Sequence, residues 1–333
     1  MSPAQCTSML NSRRDLVVLP EHGVVWCPTA KGGTTTITIM LAARLLGVSN
    51  ATVTHPGGVF HPGPSESGDD AFNDGETTAL HPSDALEVAR IHDESHDDEA
   101  TVRVRNFLEQ VTTGKRRTQL QGLIKSTGLL SAAEVATVCS RRPLAFTFVR
   151  DPYERMVSAY IGKVLLRPYF GDLLKNYGLG AGDPPPTFGE FLRWVSTMDD
   201  DYDVHIQPEA SRCGPSFADY SFIGHVESFE DDMKQLLGHL GWPATLYTDE
   251  HISSVATCKS SVACSNSLRA QLGMTLPAWD ALNSSHELVR RLYHSSPLGR
   301  NRGTTANRLT DLVHARFTGD SEMFGYTASQ WLV

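Results

Sequence analysis

A short apolar run that closes on proline and passes through adjacent glycines into a helix-period pattern leaves few folds open. Residues 23–47 (GVVWCPTAKGGTTTITIMLAARLLG) are such a passage. Val24-Val25-Trp26 reads as a buried strand closed by Pro28, and Ile37, Met40, Leu41 and Leu45 recur on one helical face. Between them stand Lys31, Gly32, Gly33, Thr34, Thr35 and Thr36. Adjacent glycines let the backbone turn its N–H groups inward, a helix start adds unpaired donors and the positive end of its dipole, and Lys31 adds a full charge. Strand, glycine loop and helix in that order form an anion cradle suited to phosphate or sulfate. The plainer alternative is an ordinary strand-to-helix connection whose glycines serve only the turn. Three successive threonines weigh against it, since hydroxyls at a helix start either cap it or bind an anion. A nucleotide-triphosphatase loop, G-x-x-x-x-G-K-[ST], fits poorly: Val25 and Ala30 stand where it needs glycine, and Gly32-Gly33 follow the lysine.

A second passage of the same kind is RRPLAFTFVRDPYERMVSAYIGKV, residues 141–164. Leu144 to Val149 is continuously apolar and aromatic, as a strand buried on both faces should be. Asp151 then supplies an N-cap, Pro152 the first helical position, and Glu154 the acid of a capping box. Arg150 therefore falls at the carboxyl end of a buried strand, where ligands of open α/β sheets bind. Arg155 and Ser158, three apart on the helix that follows, can look back toward the same crevice. The alternative for Arg150 is a structural pair with Asp151 or Glu154. Two strand-to-helix turns, each with a cationic side chain, suit a ligand with two separated anionic groups.

The rest of the chain constrains less. With 333 residues, 40% of them apolar, it can bury a sizeable core. The net charge of −9 would oppose an anionic ligand if spread evenly, but residues 51–100 hold twelve acids against one arginine and leave the remainder slightly basic. That segment, rich in Gly, Pro, Ser and Asp, reads as a solvated, mobile insertion. Among its histidines, His55, His61, His81, His92 and His96, the last two would share a helix face, yet H-D-E-S-H is not the zinc-protease order H-E-x-x-H, and no metal is expected. Val102 to Val138 is expected to be helical in two pieces broken near Ser126-Thr127-Gly128, with a capping box at Ser131 and Glu134 opening the second. No uninterrupted apolar run approaches the roughly 20 residues of a membrane helix.

The two turns resemble the 5′-phosphosulfate loop and the 3′-phosphate motif of sulfotransferases that use 3′-phosphoadenosine 5′-phosphosulfate (PAPS). R-D-P-Y-E-R-M-V-S-A-Y is close to the form in the membrane-type carbohydrate sulfotransferases related to chondroitin 4-O-sulfotransferase, sulfotransferase family 2. Phe188 to Val195 (FGEFLRWV), His205 with Cys213, Tyr220 to Asp232 (YSFIGHVESFEDD) and Leu309 to Tyr326 are similar to further segments of that family. The resemblance implies an α/β fold, a P-loop-NTPase-like central parallel sheet with helices on both faces. It also implies one sulfotransferase domain over residues 1–333, with 51–100 inserted into it. The implied activity is transfer of a sulfuryl group from PAPS to a carbohydrate or other hydroxyl acceptor, with neither nucleic acid nor metal involved. Lys31 would act on the bridging oxygen, Gly32 to Thr36 (Gly32, Gly33, Thr34, Thr35, Thr36) would hold the phosphosulfate, and Arg150 and Ser158 the 3′-phosphate.

His205 is the candidate proton acceptor, with a structural hydrogen bond as its alternative, and Glu227 is expected to cap the helix at Ser228 or pair with a core arginine. The sequence departs from the family at Ala30, where proline usually precedes the lysine, at Ile206 in place of tryptophan, and at Ser216 in place of a second cysteine. No histidine stands near Arg116 and Arg117, where the family has one. The Golgi lumen that the resemblance implies favours a disulfide between Cys258 and Cys264 over reduced thiols, within a segment, Cys258 to Asn266, read as a loop. A chain complete as written would instead be soluble and cytoplasmic. Two other functions stay open: a nucleotide kinase or triphosphatase, and a catalytically silent nucleotide-binding protein.

Overall fold

Val17–Leu19 and Val24–Cys27 are separated by a single 3-10 turn, Pro20–His22, and Gly23 in the left-handed region at φ 60°. So short a link joins only antiparallel neighbours, because a parallel pair needs a crossover of a dozen residues or more. The computed structural model describes residues 2–12, 16–30, 32–46, 125–166, 183–200, 202–213, 220–247, 258–259, 261–282, 284–295 and 305–327. Lys31, the acidic segment 51–100 with its five histidines, and Arg116 and Arg117 lie outside these.

In chain order the elements are α1 (Pro3–Ser12), β1 (Val17–Leu19), β2 (Val24–Cys27), α2 (Thr34–Leu46), β3 (Lys125–Ser126), α3 (Ala132–Ser140) and β4 (Leu144–Val149). There follow α4 (Pro152–Ala159), which widens into a π-helical stretch over Tyr160–Leu165, α5 (Phe188–Val195), α6 (Glu209–Cys213), β5 (Phe222–His225) and α7 (Phe229–Leu240). The described chain closes with α8 (Val262–Leu272), α9 (Leu276–Asp280), α10 (Ser285–Ser295), α11 (Thr305–Arg316) and α12 (Thr318–Phe324).

The five strands run in the order β3-β1-β2-β4-β5. β2, β4 and β5 are parallel, whereas β1 is antiparallel to both β2 and β3, so the expected parallel sheet is mixed, with one antiparallel flank. Helices cover both faces. On one, Ile37, Met40 and Leu41 of α2 and Phe229, Met233, Leu236 and Leu237 of α7 pack on Val24, Trp26, Phe146 and Phe148. On the other, α1 and α3 pack on Val18, Val25, Ala145 and Val149. A third, wholly helical core joins α4, α5 and α8 to α11 around Tyr153, Tyr160, Phe188, Trp279 and Tyr293. Each such side chain, removed from water, contributes about 1.5–3 kcal/mol.

Three disulfides pin these layers: Cys6–Cys139 ties α1 to α3, Cys27–Cys213 ties β2 to α6, and Cys258–Cys264 closes the small loop the sequence suggested. The first two went unrecognised, because their partners are 133 and 186 residues apart. Two other expectations are corrected. Cys258 to Asn266 is not all loop, for Ser261 caps α8 by accepting from the Cys264 N–H. Leu309 to Tyr326, for which the family resemblance implies a C-terminal helix, breaks at Phe317, whose buried ring lies under the Arg155 guanidinium, 4.8 Å from its centroid.

Candidate functional site

The register sets Cys27 of β2 against Thr147 and Val149 of β4 against His225 of β5, so the turns leaving these parallel strands emerge side by side. At the first turn Thr29 is buried and folds inward: its hydroxyl donates to the Phe148 carbonyl, and its own carbonyl accepts from the Gly32 N–H at 3.1 Å. A side chain at Gly32 would run into Thr29 and stand 2.7 Å from the Phe148 oxygen. Gly33 has φ 75°, and a Cβ there would enter the Phe229 ring. Both glycines are therefore required by the geometry, one by crowding and the other by crowding and conformation together. The Gly33 carbonyl accepts from the Ile37 N–H at 3.1 Å and starts α2. The Thr34 hydroxyl donates back to the Thr29 carbonyl, so its hydrogen is directed into the turn. Thr35 and Thr36 lie in the first turn of α2.

At the second turn Asp151 is the expected N-cap, accepting from the N–H groups of Tyr153 at 2.8 Å and Glu154 at 3.3 Å. The capping box is not closed by Glu154. That carboxylate accepts from Arg150 Nη2 at 3.1 Å, and the Asp151 N–H goes instead to Glu227 Oε1 at 2.7 Å. Glu227 Oε2 accepts from the Tyr326 hydroxyl at 3.1 Å, so Glu227 links two segments and, among the described residues, neither caps Ser228 nor meets an arginine. Burial, and then the negative charge of Glu227, push the Tyr326 hydroxyl well above its ordinary pKa. Arg150 thus makes the structural pair left open in the sequence, while its buried Nε has no hydrogen-bond partner among the described residues. Ser158 is buried on α4, one turn past Arg155.

Arg155 turns the other way. Fully buried, it donates from Nη1 to the Gln207 carbonyl at 2.6 Å and from Nη2 to Asp320 at 3.0 Å, with Glu209 Oε1 3.9 Å from Nη1. Asp320 also accepts from the N–H groups of Glu209 and Ala210, at 3.0 and 2.7 Å. One arginine here faces two buried carboxyl groups. Burial pushes the Glu209 carboxyl up to about 8, with Arg155 opposing the shift and Asp320 reinforcing it. Glu209 Oε2 accepts the Arg150 N–H at 3.1 Å.

His205, the candidate proton acceptor, has its Nδ1 2.9 Å from Asp203 Oδ1, which also accepts its backbone N–H at 2.7 Å. Burial would raise Asp203, but the hydrogen bonds and charge of His205 leave its carboxyl below the usual range. Ile206, where the family has tryptophan, is buried in the helical core.

The structure thus sets the Gly32-Gly33 turn and Arg150 at the ends of neighbouring strands and puts Ser158 on the helix that follows Arg150. The sequence reading missed Glu209 and Arg212, which reach the turns across 59 residues to Arg150 and 184 to Pro28, and Asp320 and Tyr326, which hold Glu209 and Glu227 behind them. Six cysteines, an even number, were the one signal that such links existed.

A chain with this mixed sheet and two anion-suited turns at its parallel strand ends falls within a known class. The model of the sulfotransferase family matches residues 14–327, and the chain belongs to that family, as its motifs suggested. Among curated relatives, carbohydrate sulfotransferase 14 of Mus musculus is 36% identical over 102 residues, 28% of this chain and 27% of the relative. Carbohydrate sulfotransferase 10 of Homo sapiens is 25% identical over 224 residues, 61% of this chain and 53% of the relative. The chain therefore spans between about a quarter and about half the length of these relatives. No solved structure matches it.

Proposed function

We propose that this protein is a PAPS-dependent sulfotransferase acting on a hydroxyl of a carbohydrate, as a single P-loop-like α/β domain over residues 1–333 with 51–100 inserted into it. The observation that carries the reading is the adjacency of the two turns on neighbouring parallel strands, β2 and β4. The fit to such a donor rests on two features. Gly32 and Gly33 let the backbone of the first turn pack directly on Thr29, Phe148 and Phe229, where no Cβ would fit, and Arg150 brings to the next strand end a partly buried guanidinium whose Nε has no partner among the described residues. When bound, PAPS supplies the activated sulfuryl group.

The residues' own part is positioning and charge. The backbone N–H groups of the first turn and Lys31 would hold the phosphosulfate end and balance the charge that grows on the leaving phosphate. Arg150 and Ser158 would hold the 3′-phosphate. His205, whose Nδ1 lies 2.9 Å from Asp203 Oδ1, would in its neutral form take the acceptor's proton. Three disulfides favour work in an oxidising compartment, in keeping with the Golgi lumen expected of such enzymes. Among the described residues no helix is long and apolar enough to cross a membrane.

The test is calorimetric titration of the purified chain with PAP (3′-phosphoadenosine 5′-phosphate), AMP and ATP, beside Arg150→Ala and Lys31→Ala. Preference for PAP over AMP that disappears in Arg150→Ala supports the donor site. Equal affinity for PAP and AMP, or binding of ATP alone, would reject it in favour of a nucleotide kinase.

A further inference from the structure

Strands β2 and β4 are paired, but the turns that leave them pass beyond the sheet and lose its ladder. A donor with phosphates at two positions needs those turns at a fixed separation, so something must touch both. Helix α6 does. At its carboxyl end Cys213 is bonded to Cys27, the last residue of β2, with 5.8 Å between their Cα atoms. Beside it Arg212, buried, donates from Nε to the Pro28 carbonyl at 2.7 Å and from Nη1 to Gln207 Oε1 at 3.3 Å. At the amino end Glu209 accepts the Arg150 N–H at 3.1 Å and so fixes the peptide that carries the Arg150 side chain. The helix is itself held from behind, since Asp320 accepts two of its N–H groups and Arg155 clamps both Asp320 and Gln207.

We infer that α6 is the spacer that sets the distance between the two phosphate-holding turns, Arg212 positioning the first and Glu209 the second. The inference rests on the donor reading above and deepens it: neither residue need touch the donor, and each acts through the backbone of a turn. A guanidinium at the base of the first turn also lies in a low-dielectric setting, where its charge reaches further than at the surface. The two ends of one short helix therefore report on two different phosphates.

Titration with PAP and AMP separates them, because AMP affinity reads the first turn and the ratio of PAP to AMP affinity reads the second. Arg212→Met is expected to weaken both ligands by the same factor, about tenfold, with the ratio kept, as for loss of a charged hydrogen bond. Glu209→Ala is expected to leave AMP alone and reduce the ratio by about tenfold. Glu209→Gln, which can still accept the Arg150 N–H, restores it. If either replacement does not fold, Arg212→Lys and Glu209→Met carry the test, since a lysine cannot reproduce both Arg212 contacts and must lower AMP affinity, and a methionine cannot accept the Arg150 N–H and must lower the ratio. Replacements of Arg212 that leave AMP affinity unchanged, Glu209→Ala or Glu209→Met that leave the ratio unchanged, or the same proportional loss of both at both ends of the helix, overturn the inference. Should the native chain fail to prefer PAP, the donor reading falls and takes this with it. A native preference abolished by Arg150→Ala, without the split between Arg212 and Glu209, defeats the spacer alone.

Discussion

The turn after β2 and the turn after β4 leave the same end of the same sheet, yet they are shaped by opposite means. The first depends on missing atoms: Gly32 and Gly33 occupy places that a side chain could enter only by displacing Phe148, Thr29 or Phe229. The second depends on added ones. Its Arg150-Asp151 peptides are held by carboxyl groups from three other segments, with Glu209 on the Arg150 N–H, Glu227 on the Asp151 N–H, and Asp320 behind Glu209. A turn kept open by glycine is local and breaks through one residue, whereas a turn held by distant carboxylates breaks wherever the network is cut. The two should therefore fail differently.

The largest effect is expected where both turns share a support. Replacing Cys27 and Cys213 together by serine frees a span of 186 residues, for which loop-closure entropy gives about 5 kcal/mol, against about 2 kcal/mol for the short Cys258–Cys264 loop. Denaturant unfolding of the two double variants measures that contrast. Asp320→Ala leaves Arg155 Nη2 and the Glu209 and Ala210 N–H groups without the acceptor they share and should cost about 3–5 kcal/mol, as in a broken buried pair. Its PAP affinity should fall with stability, although Asp320 is distant in sequence from every donor motif.

Gly33→Ala should cost about 2 kcal/mol for its left-handed backbone alone and remove AMP binding, while the melting behaviour of the second turn's network is kept. Equal losses at both turns would erase the distinction. The smallest change, at acidic pH, belongs to Glu209→Gln. Between its ordinary 4.5 and about 8, folded Glu209 keeps a proton that the unfolded chain releases, so native stability falls as pH rises through that window. The glutamine variant should match the native chain near pH 4 and grow relatively more stable toward pH 8, as thermal melts across that range would show.

What could be read from the sequence follows the same division. The first turn's glycines and the Asp151-Pro152 helix start are local chemistry, and β2, β4 and the capping box of Ser131 and Glu134 lie where periodicity and cap residues put them, whereas α5 is indicated by the family resemblance alone. β1 and β3, with three and two residues, carry no period to recognise. Arg155 shows the limit most clearly: its spacing from Ser158 places it near the crevice side of α4, but Asp320 and Gln207, brought in from elsewhere, turn it into the core. The same holds for Glu154, which local pattern assigns to a capping box and a neighbouring arginine claims instead.

The contacts of Asp320 and Tyr326 have a consequence for the order of events in synthesis. A ribosome delivers Gly32 early and Arg150 midway, but Cys213 must emerge before the first turn is tied down, and α12 before the second is complete. A nascent chain halted before Thr318 carries both turns in full, with Glu209 and Glu227, but without Asp320 and Tyr326, which hold those two residues. The second turn is therefore braced only after α12 has emerged, later than either turn itself.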